Sequence, residues 1–520
     1  MTPLLAAIDV GTGSARAGIF TLTGQLLGRA EQPIETRRLS PTVAAQDSEQ
    51  IWRASASALR AAVAEAGVRA EEVEALAFDA TCSIAFRAPD GAPVGILPGE
   101  APRWDTILWL DHRAAAESAE FSATGHPALR YLGGNMPPEM APPKLLWVKR
   151  HMPAAWARTG LILDLADFLG WRATGSMRRS HSVLTCKWSY LGATGGWPRD
   201  FFAAVGLDDL ADRAGIEPAP AAVGEPVGRL SIGAASDLGL PPGLPVGAGL
   251  VDAYAGALGV LGAERPGDAA LIAGTSTCLL AVTPDPPFIP SAWGPFADAV
   301  LPGAAAIEVG QSVSGAMLDR LLAPPGAPAP TAELRARVTA RLRELRAETP
   351  DLAPEIQILP DFLGNRAPLG DARARGTITG LDMGGDFDSL CRLYWRGAVA
   401  LAVGLREMIA HLGGHGLTVD RLLLAGGHAR DSILTGLYAD ATGLKLIEPR
   451  DDPVLLGTAM VAGVAAGRYA DTRAAARAMG GEGPERAPDP ANAGWLARDA
   501  KAFALMRRHR AEMEALLRPL

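Results

Sequence analysis

GAGLVDAYAGALGVLGAERPGDAALIAGTSTCLLAV, residues 247–282, places a lone carboxylate, Asp252, in a glycine-rich turn just before a second glycine-punctuated pair of strands. Gly247, Gly249, Gly256 and Gly259 remove side chains around it, so that backbone or ligand can come close. The second half reads strand, turn, strand: Ala269 to Ala273, then Gly274, Thr275 and Ser276, then Thr277 to Val282. A turn of this composition offers N–H and hydroxyl donors to phosphate oxygens. An ordinary Gly-rich hairpin beside a solvated aspartate would read the same way, and the N-terminus tips the balance. There an apolar run, Leu4 to Val10, carries Asp9 and is followed by Gly11-Thr12-Gly13-Ser14, a strand through Thr21, a Thr23-Gly24 turn and a third strand from Gln25. The two openings, near residues 4 and 269, are one device used twice. The repeat predicts duplicated α/β domains facing each other across a cleft, with both turns able to grip the phosphates of a nucleotide.

Length agrees with duplication. At 520 residues the chain exceeds the size, about 250–300 residues, at which a single core stops growing, and the expected division is 1–262 and 263–520. Hydrophobic residues are 48% and charged residues 20%, a globular profile. A net charge of −8 gives no support for nucleic-acid binding. The arginine-rich run at 335–346 does not change this, because Leu334, Val338, Leu342 and Leu345 make it an amphipathic helix whose arginines form the solvated side. Cys82, Cys186, Cys278 and Cys391 lack metal or disulfide spacing, and no long uncharged apolar run is present. A cytoplasmic protein with reduced thiols and no membrane partner is expected.

Between the two turns, strands and helices alternate. A helix starting at Ser48 as N-cap buries Trp52, Ala56, Leu59 and Val63; Val73 to Phe78 is a strand ending in Asp79-Ala80-Thr81-Cys82-Ser83; Ile107 to Leu110 is another, ending in Asp111. Polar residues just past strand ends are where open α/β sheets bind ligands. Residues 356–380 read as loop, with Gly364, Asn365, Arg366 and Gly370; a long helix runs from Phe387 to Leu412; the last ~25 residues, with Phe503, Met506, Met513 and Leu517, form a helix packing back on the body. Neither a GxxxxGK[ST] loop nor a GxGxxG fingerprint on a first strand occurs.

Five segments, DVGTGSAR (9–16), GLVDAYAG (249–256), GTST (274–277), EVGQSVSG (308–315) and AGGHARD (425–431), resemble in content and order the FGGY family of carbohydrate kinases, over residues 4 to 470. The resemblance implies an actin-like, ribonuclease-H-like fold in two domains, and transfer of the γ-phosphoryl group of ATP to a sugar or polyol hydroxyl. It implies Asp252 as the base that takes the hydroxyl proton, with Asp9 and Asp252 near Mg²⁺. Gly11, Thr12, Gly13, Ser14 and Arg16 match the first phosphate turn, and Gly274 and Thr275 the second. Gly315, Gly427 and Asp431 fall on nucleotide-contacting positions, although glycerol kinases carry Asn where Asp431 stands. Asp111, in LWLDHRA, either lines the sugar pocket or caps the following helix.

Lys187 and Glu308 resemble the lysine and glutamate with which ribulokinases hold ketopentose hydroxyls. Thr81-Cys82-Ser83 followed by two apolar residues looks like the D-ribulokinase branch, whereas xylulokinases carry Met-His-Gly there and glycerol kinases Arg-Glu. The expected reaction is phosphorylation of D-ribulose to D-ribulose 5-phosphate. Other acceptors (L-ribulose, ribitol, D-xylulose, glycerol) stay open, as does a homodimer. An actin- or Hsp70-like ATPase acting on protein partners is the reading from another class.

Overall fold

The apolar run that opens the chain is a strand covered on both faces: β1 (Leu4–Val10) is buried along its whole length, Asp9 included. It pairs antiparallel with β2 (Ser14–Thr21), and β2 with β3 (Leu26–Pro33). On its other side it pairs parallel with β4 (Val73–Ala80), which pairs parallel with β5 (Pro245–Gly247). The computed structural model describes residues 3–517 apart from 195, 215–218, 263–264, 324–326 and 328. Its second large sheet repeats this order. β6 (Asp268–Ala273) pairs antiparallel with β7 (Thr277–Thr283) and β7 with β8 (Ala305–Gln311); β6 pairs parallel with β9 (Arg421–Ala425) and β9 with β10 (Lys445–Ile447). The strand orders β3-β2-β1-β4-β5 and β8-β7-β6-β9-β10 are the same pattern twice, each within a seven-stranded sheet. The fold is thus a two-domain α/β architecture of duplicated, actin-like halves. The expected division at 262/263 abuts residues 263–264, which lie outside those described.

A five-stranded sheet is added to the first half; it includes the strands Ile84–Arg87 and Thr106–Ile107, and just past the second of these Trp109 reaches Thr12 in the turn after β1. The helix Ser48–Ala66 is capped by Asp47, not by Ser48: Asp47 Oδ1 accepts from the N–H groups of Glu49 and Gln50, while the Ser48 hydroxyl donates to Asp105. A carboxylate that takes two orphan donors outcompetes a hydroxyl already engaged elsewhere.

The glycines around Asp252 serve backbone approach, not ligand access. A Cβ on Gly259 would sit 1.9 Å from the Pro453 carbonyl oxygen, and one on Gly457 1.9 Å from that of Ala255. The helices Asp252–Val260 and Pro453–Ala465 therefore cross at backbone contact, tying the halves together beneath the cleft. Gly247 similarly abuts Val461, and Gly249 abuts Ala166. The long helix runs over Phe387–Gly414, and the last over Ala493–Leu517, where Phe503 is buried but Met513 and Leu517 are exposed. No helix is long and apolar enough to cross a membrane among the described residues.

Candidate active site

Both duplicated turns open into one cavity of about 720 Å³ between the two sheets. It is lined by Gly11, Thr12 and Arg16 from the first turn, Gly274 and Thr275 from the second, and Asp252 between them. Gly315, Gly427 and Asp431 border the second turn, and Thr81, Cys82, Lys187 and Glu308 the far end. Cβ atoms on Gly274 and Gly427 would meet nothing within 4 Å, whereas one on Gly315 would lie 2.6 Å from the Gly274 carbonyl oxygen. Gly274 and Gly427 thus leave room in the cavity, and Gly315 lets two backbone segments meet.

The carboxylates converge where the strands end. Asp9 and Asp79 are partners in the β1–β4 register, both fully buried. Asp9 Oδ2 lies 2.6 Å from Arg16 Nη2. Burial, countered by Arg16 and reinforced by Asp452 and Asp252, pushes the Asp9 carboxyl up to about 6. Asp252 is the first residue of its helix, and its Oδ1 accepts from the Ala253 N–H at 2.7 Å. Burial raises its pKa, while that N–H, Arg16 and Lys187 pull it back. A helix N-terminus favours the ionised form, so Asp252 is a desolvated carboxylate held ready to accept a proton.

At the far end Glu308 gathers every neighbour. It accepts from Tyr254 Oη at 3.1 Å and pairs with Lys187 Nζ at 3.4 Å and with Arg366 Nη2, at 2% side-chain exposure. Burial alone would raise the Glu308 carboxyl, but Lys187 and Arg366 outweigh it and hold it at about 2. The Lys187 ammonium is raised above its usual range because Glu308 overcomes the burial that opposes it. Both cations lie over the ring of Trp293, at 4.6 Å for Lys187 Nζ and 3.8 Å for Arg366 Cζ. Cys82 and Cys278 stay protonated, burial raising their thiols to about 11 and about 12.

Four expected residues lie elsewhere. Ser14 donates its hydroxyl to Glu31 at 2.6 Å, and neither it nor Gly13 is among the cavity-lining residues. Ser83 is buried beneath Thr81, accepting from the Trp109 N–H. Asp111 neither lines the cavity nor caps the following helix, whose N-cap is Ala114: it is wholly buried, accepts from the Ala44 and Arg113 N–H groups and pairs with the Arg113 guanidinium at 2.7 Å. The residue of LWLD that reaches the cavity is Trp109, which donates to Thr12 Oγ1 at 3.0 Å. Asp431 lines the cavity while capping the helix Ser432–Thr442. Arginines 335 and 343, expected on a solvated face, border the cavity, Arg335 holding Asp319 at 2.8 Å.

Sequence reasoning missed Asp79, Tyr254, Trp293 and Arg366 as cavity or cluster residues. Tyr254, two positions after Asp252, and Asp79, at a strand end two positions before Thr81, carried local signals. Trp293 and Arg366 come from segments remote from Asp252 in the chain, joined to it by the fold.

The residues fit a magnesium nucleotide. Asp9 Oδ1 and Asp79 Oδ1 are buried with no hydrogen-bond partner among the described residues. No group of three or more His, Cys, Asp or Glu side chains among them could hold a metal alone. An ion there would take one or two carboxylates and complete its shell with water and phosphate oxygens, which is the preference of Mg²⁺.

Comparison with known proteins agrees. Residues 4–259 match the model of the FGGY family of carbohydrate kinases, N-terminal domain, and residues 269–466 that of the C-terminal domain. The chain belongs to the FGGY family of carbohydrate kinases. It is therefore a phosphotransferase acting on a sugar hydroxyl, in a family that uses ATP, generally with Mg²⁺. An FGGY carbohydrate kinase domain-containing protein of Danio rerio is 36% identical over 98% of each chain. A D-ribulokinase of Saccharomyces cerevisiae is 31% identical over 90% of this chain and 72% of its own. The fold is that of the xylulose kinase from Rhodospirillum rubrum, at a TM-score of 0.77 and 24% identity, covering 98% of this chain and 99% of the other.

Proposed function

We propose that the protein phosphorylates the terminal hydroxyl of a ketopentose, and that its preferred acceptor is D-ribulose, phosphorylated at C5. The observation that carries this reading is the buried Glu308–Lys187–Arg366 cluster at one end of a cavity whose other end is the second glycine turn, with Asp252 between. A linear five-carbon ketose laid along that cavity presents inner hydroxyls and carbonyl to the cluster and its terminal hydroxyl to Asp252. Asp252 takes the hydroxyl proton as the oxygen attacks phosphorus, a contribution of typically ~10²–10⁴-fold. Gly11, Thr12, Gly274 and Thr275 supply donors to phosphate oxygens from both halves, and Arg16 adds positive charge beside Asp9. Mg²⁺ held near Asp9 and Asp79 would neutralise charge on the phosphates. The likeness to a D-ribulokinase over 90% of the chain supports the choice of sugar.

A coupled ADP-release assay over D-ribulose, L-ribulose, D-xylulose, ribitol and glycerol tests it. D-Ribulose is expected to have the highest kcat/KM. A tenfold preference for any other acceptor overturns the sugar and leaves the kinase.

A further inference from the structure

Beyond the residues matched by the family's C-terminal domain, the helix Ala493–Leu517 carries a cation that does not face water. Arg510 has a side chain only 5% exposed, and its Nη1 is bonded to Asp361 Oδ2 and to the Arg375 carbonyl oxygen at 3.0 Å. Asp361 is equally buried, and its second oxygen accepts from Asn365 Nδ2 at 2.8 Å. Asn365 in turn closes a tight loop. Its backbone exchanges two hydrogen bonds of 2.8 Å with Asp371, and its Oδ1 accepts from the Leu369 N–H at 3.0 Å. The next residue is Arg366, whose guanidinium reaches Glu308 and stacks on Trp293. A Cβ on Gly310 would lie 2.4 Å from the Thr277 carbonyl oxygen and 3.1 Å from Arg366 Nη1, so the glycine serves the close strand pairing first and leaves Arg366 room beside it.

We propose that Arg510 is a positioning residue for the sugar site, acting from the C-terminal helix through Asp361 and Asn365 to set where Arg366 stands. The inference rests on the proposed sugar-binding role of the Glu308 cluster. The physical reason is that Arg366 comes from a loop, and a loop arginine loses rotamer and backbone freedom when it is fixed. Something must restrict the loop in advance for the guanidinium to be in place before the sugar arrives. Asp361 does this only while its charge is matched. A buried carboxylate without its cation draws in water or a proton, and either change weakens and reorients the bond to Asn365. The second glycine turn is not part of this chain of contacts, so the nucleotide should not feel it.

The test measures KM for ATP and for the best acceptor of the five-compound panel, in Arg510→Met, Arg510→Lys, Asn365→Ala, Arg366→Met and Arg507→Met. Arg507 anchors the same helix to Glu407 and borders the same small cavity as Asp361 and Asn365, but makes no hydrogen bond to the loop among the described residues, so it tests helix docking with the Arg510–Asp361–Asn365 contacts left intact. Arg510→Met and Asn365→Ala should raise the acceptor KM by ~10- to 100-fold, the scale of a displaced binding group, with the ATP KM within twofold. Arg510→Lys should recover part of the loss, and Arg507→Met should leave both constants unchanged. Asn365→Ala keeps the Arg510–Asp361 pair and so serves if Arg510→Met does not fold. An acceptor KM unchanged in Asn365→Ala, or an equal rise in Arg507→Met, overturns the proposal. An unchanged acceptor KM in Arg366→Met instead overturns the underlying sugar-site reading.

Discussion

Replacing Glu308 by Gln tests the electrostatic logic of the site most directly. Glu308 is paired with two buried cations: Lys187, with 6% of its side chain exposed, and Arg366, with 9%. Gln keeps the shape and an acceptor for Tyr254, but it leaves both cations over Trp293 without their counter-charge. Removing one partner of a buried ion pair costs about 3–5 kcal/mol, and the retained hydrogen bonds place this case near the lower figure. At roughly 2–4 °C per kcal/mol for a domain of this size, the melting temperature should fall by ~6–12 °C. Catalysis adds a separate loss. A sugar hydroxyl bonded to a charged group contributes about 1.5–3 kcal/mol, or ~10- to 150-fold in kcat/KM. Differential scanning fluorimetry and the coupled assay read the two effects. The double variant Lys187→Met/Glu308→Gln should melt above the value expected from the sum of the singles, because one orphaned cation is gone. An E308Q protein that melts with the wild type and keeps kcat/KM within twofold would refute the assignment of Glu308 as the hub.

Asp252→Asn should lower kcat by at least ~10²-fold while ATP and acceptor still bind in calorimetry, since the change removes the proton acceptor and little volume; near-normal turnover would exclude Asp252 as the base. The acid limb of kcat/KM should lie above the ordinary aspartate range, because burial raises Asp252 and activity requires its ionised form; a limb at or below pH 4 would contradict this. Asp9 is raised to about 6, so protons should compete with the metal, and the apparent Mg²⁺ requirement should increase as pH falls below about 6; Asp9→Asn should weaken that pH dependence, leaving the part due to Asp79, which burial also raises. For stability the signs differ. The Asp9 contribution is present at low pH and lost as pH rises from 3.8 to about 6, whereas that of Glu308 is present above 4.5 and lost as pH falls towards about 2. A pH series of melting curves on Asp9→Asn and Glu308→Gln separates the two.

The sequence by itself determined the duplicated α/β halves, the two Gly/Thr/Ser turns and the place of Asp252. Each is written in contiguous residues: an apolar run long enough for a doubly covered strand, a Gly/Thr/Ser turn after it, and an acid in a glycine-rich stretch that reads as a turn where the structure begins a helix at Asp252. Lys187 and Glu308 were legible through family resemblance alone, 121 residues apart in the chain. What only the tertiary structure decided was which side chains share a space. LWLD offered an aspartate and a tryptophan, and the turn after the short strand Thr106–Ile107 buried Asp111 on Arg113 while sending Trp109 into the cavity. The amphipathic pattern of the helix Ala332–Glu348 located its buried face at Val338, Leu342 and Leu345, but could not tell that Arg335 and Arg343 on the other face border the cavity. Arg366 stood out only as a residue of a loop, and Arg510 not at all, because periodicity records apolar faces. A buried cation is stabilised by an anion, here Glu308 or Asp361, that arrives from elsewhere in the chain.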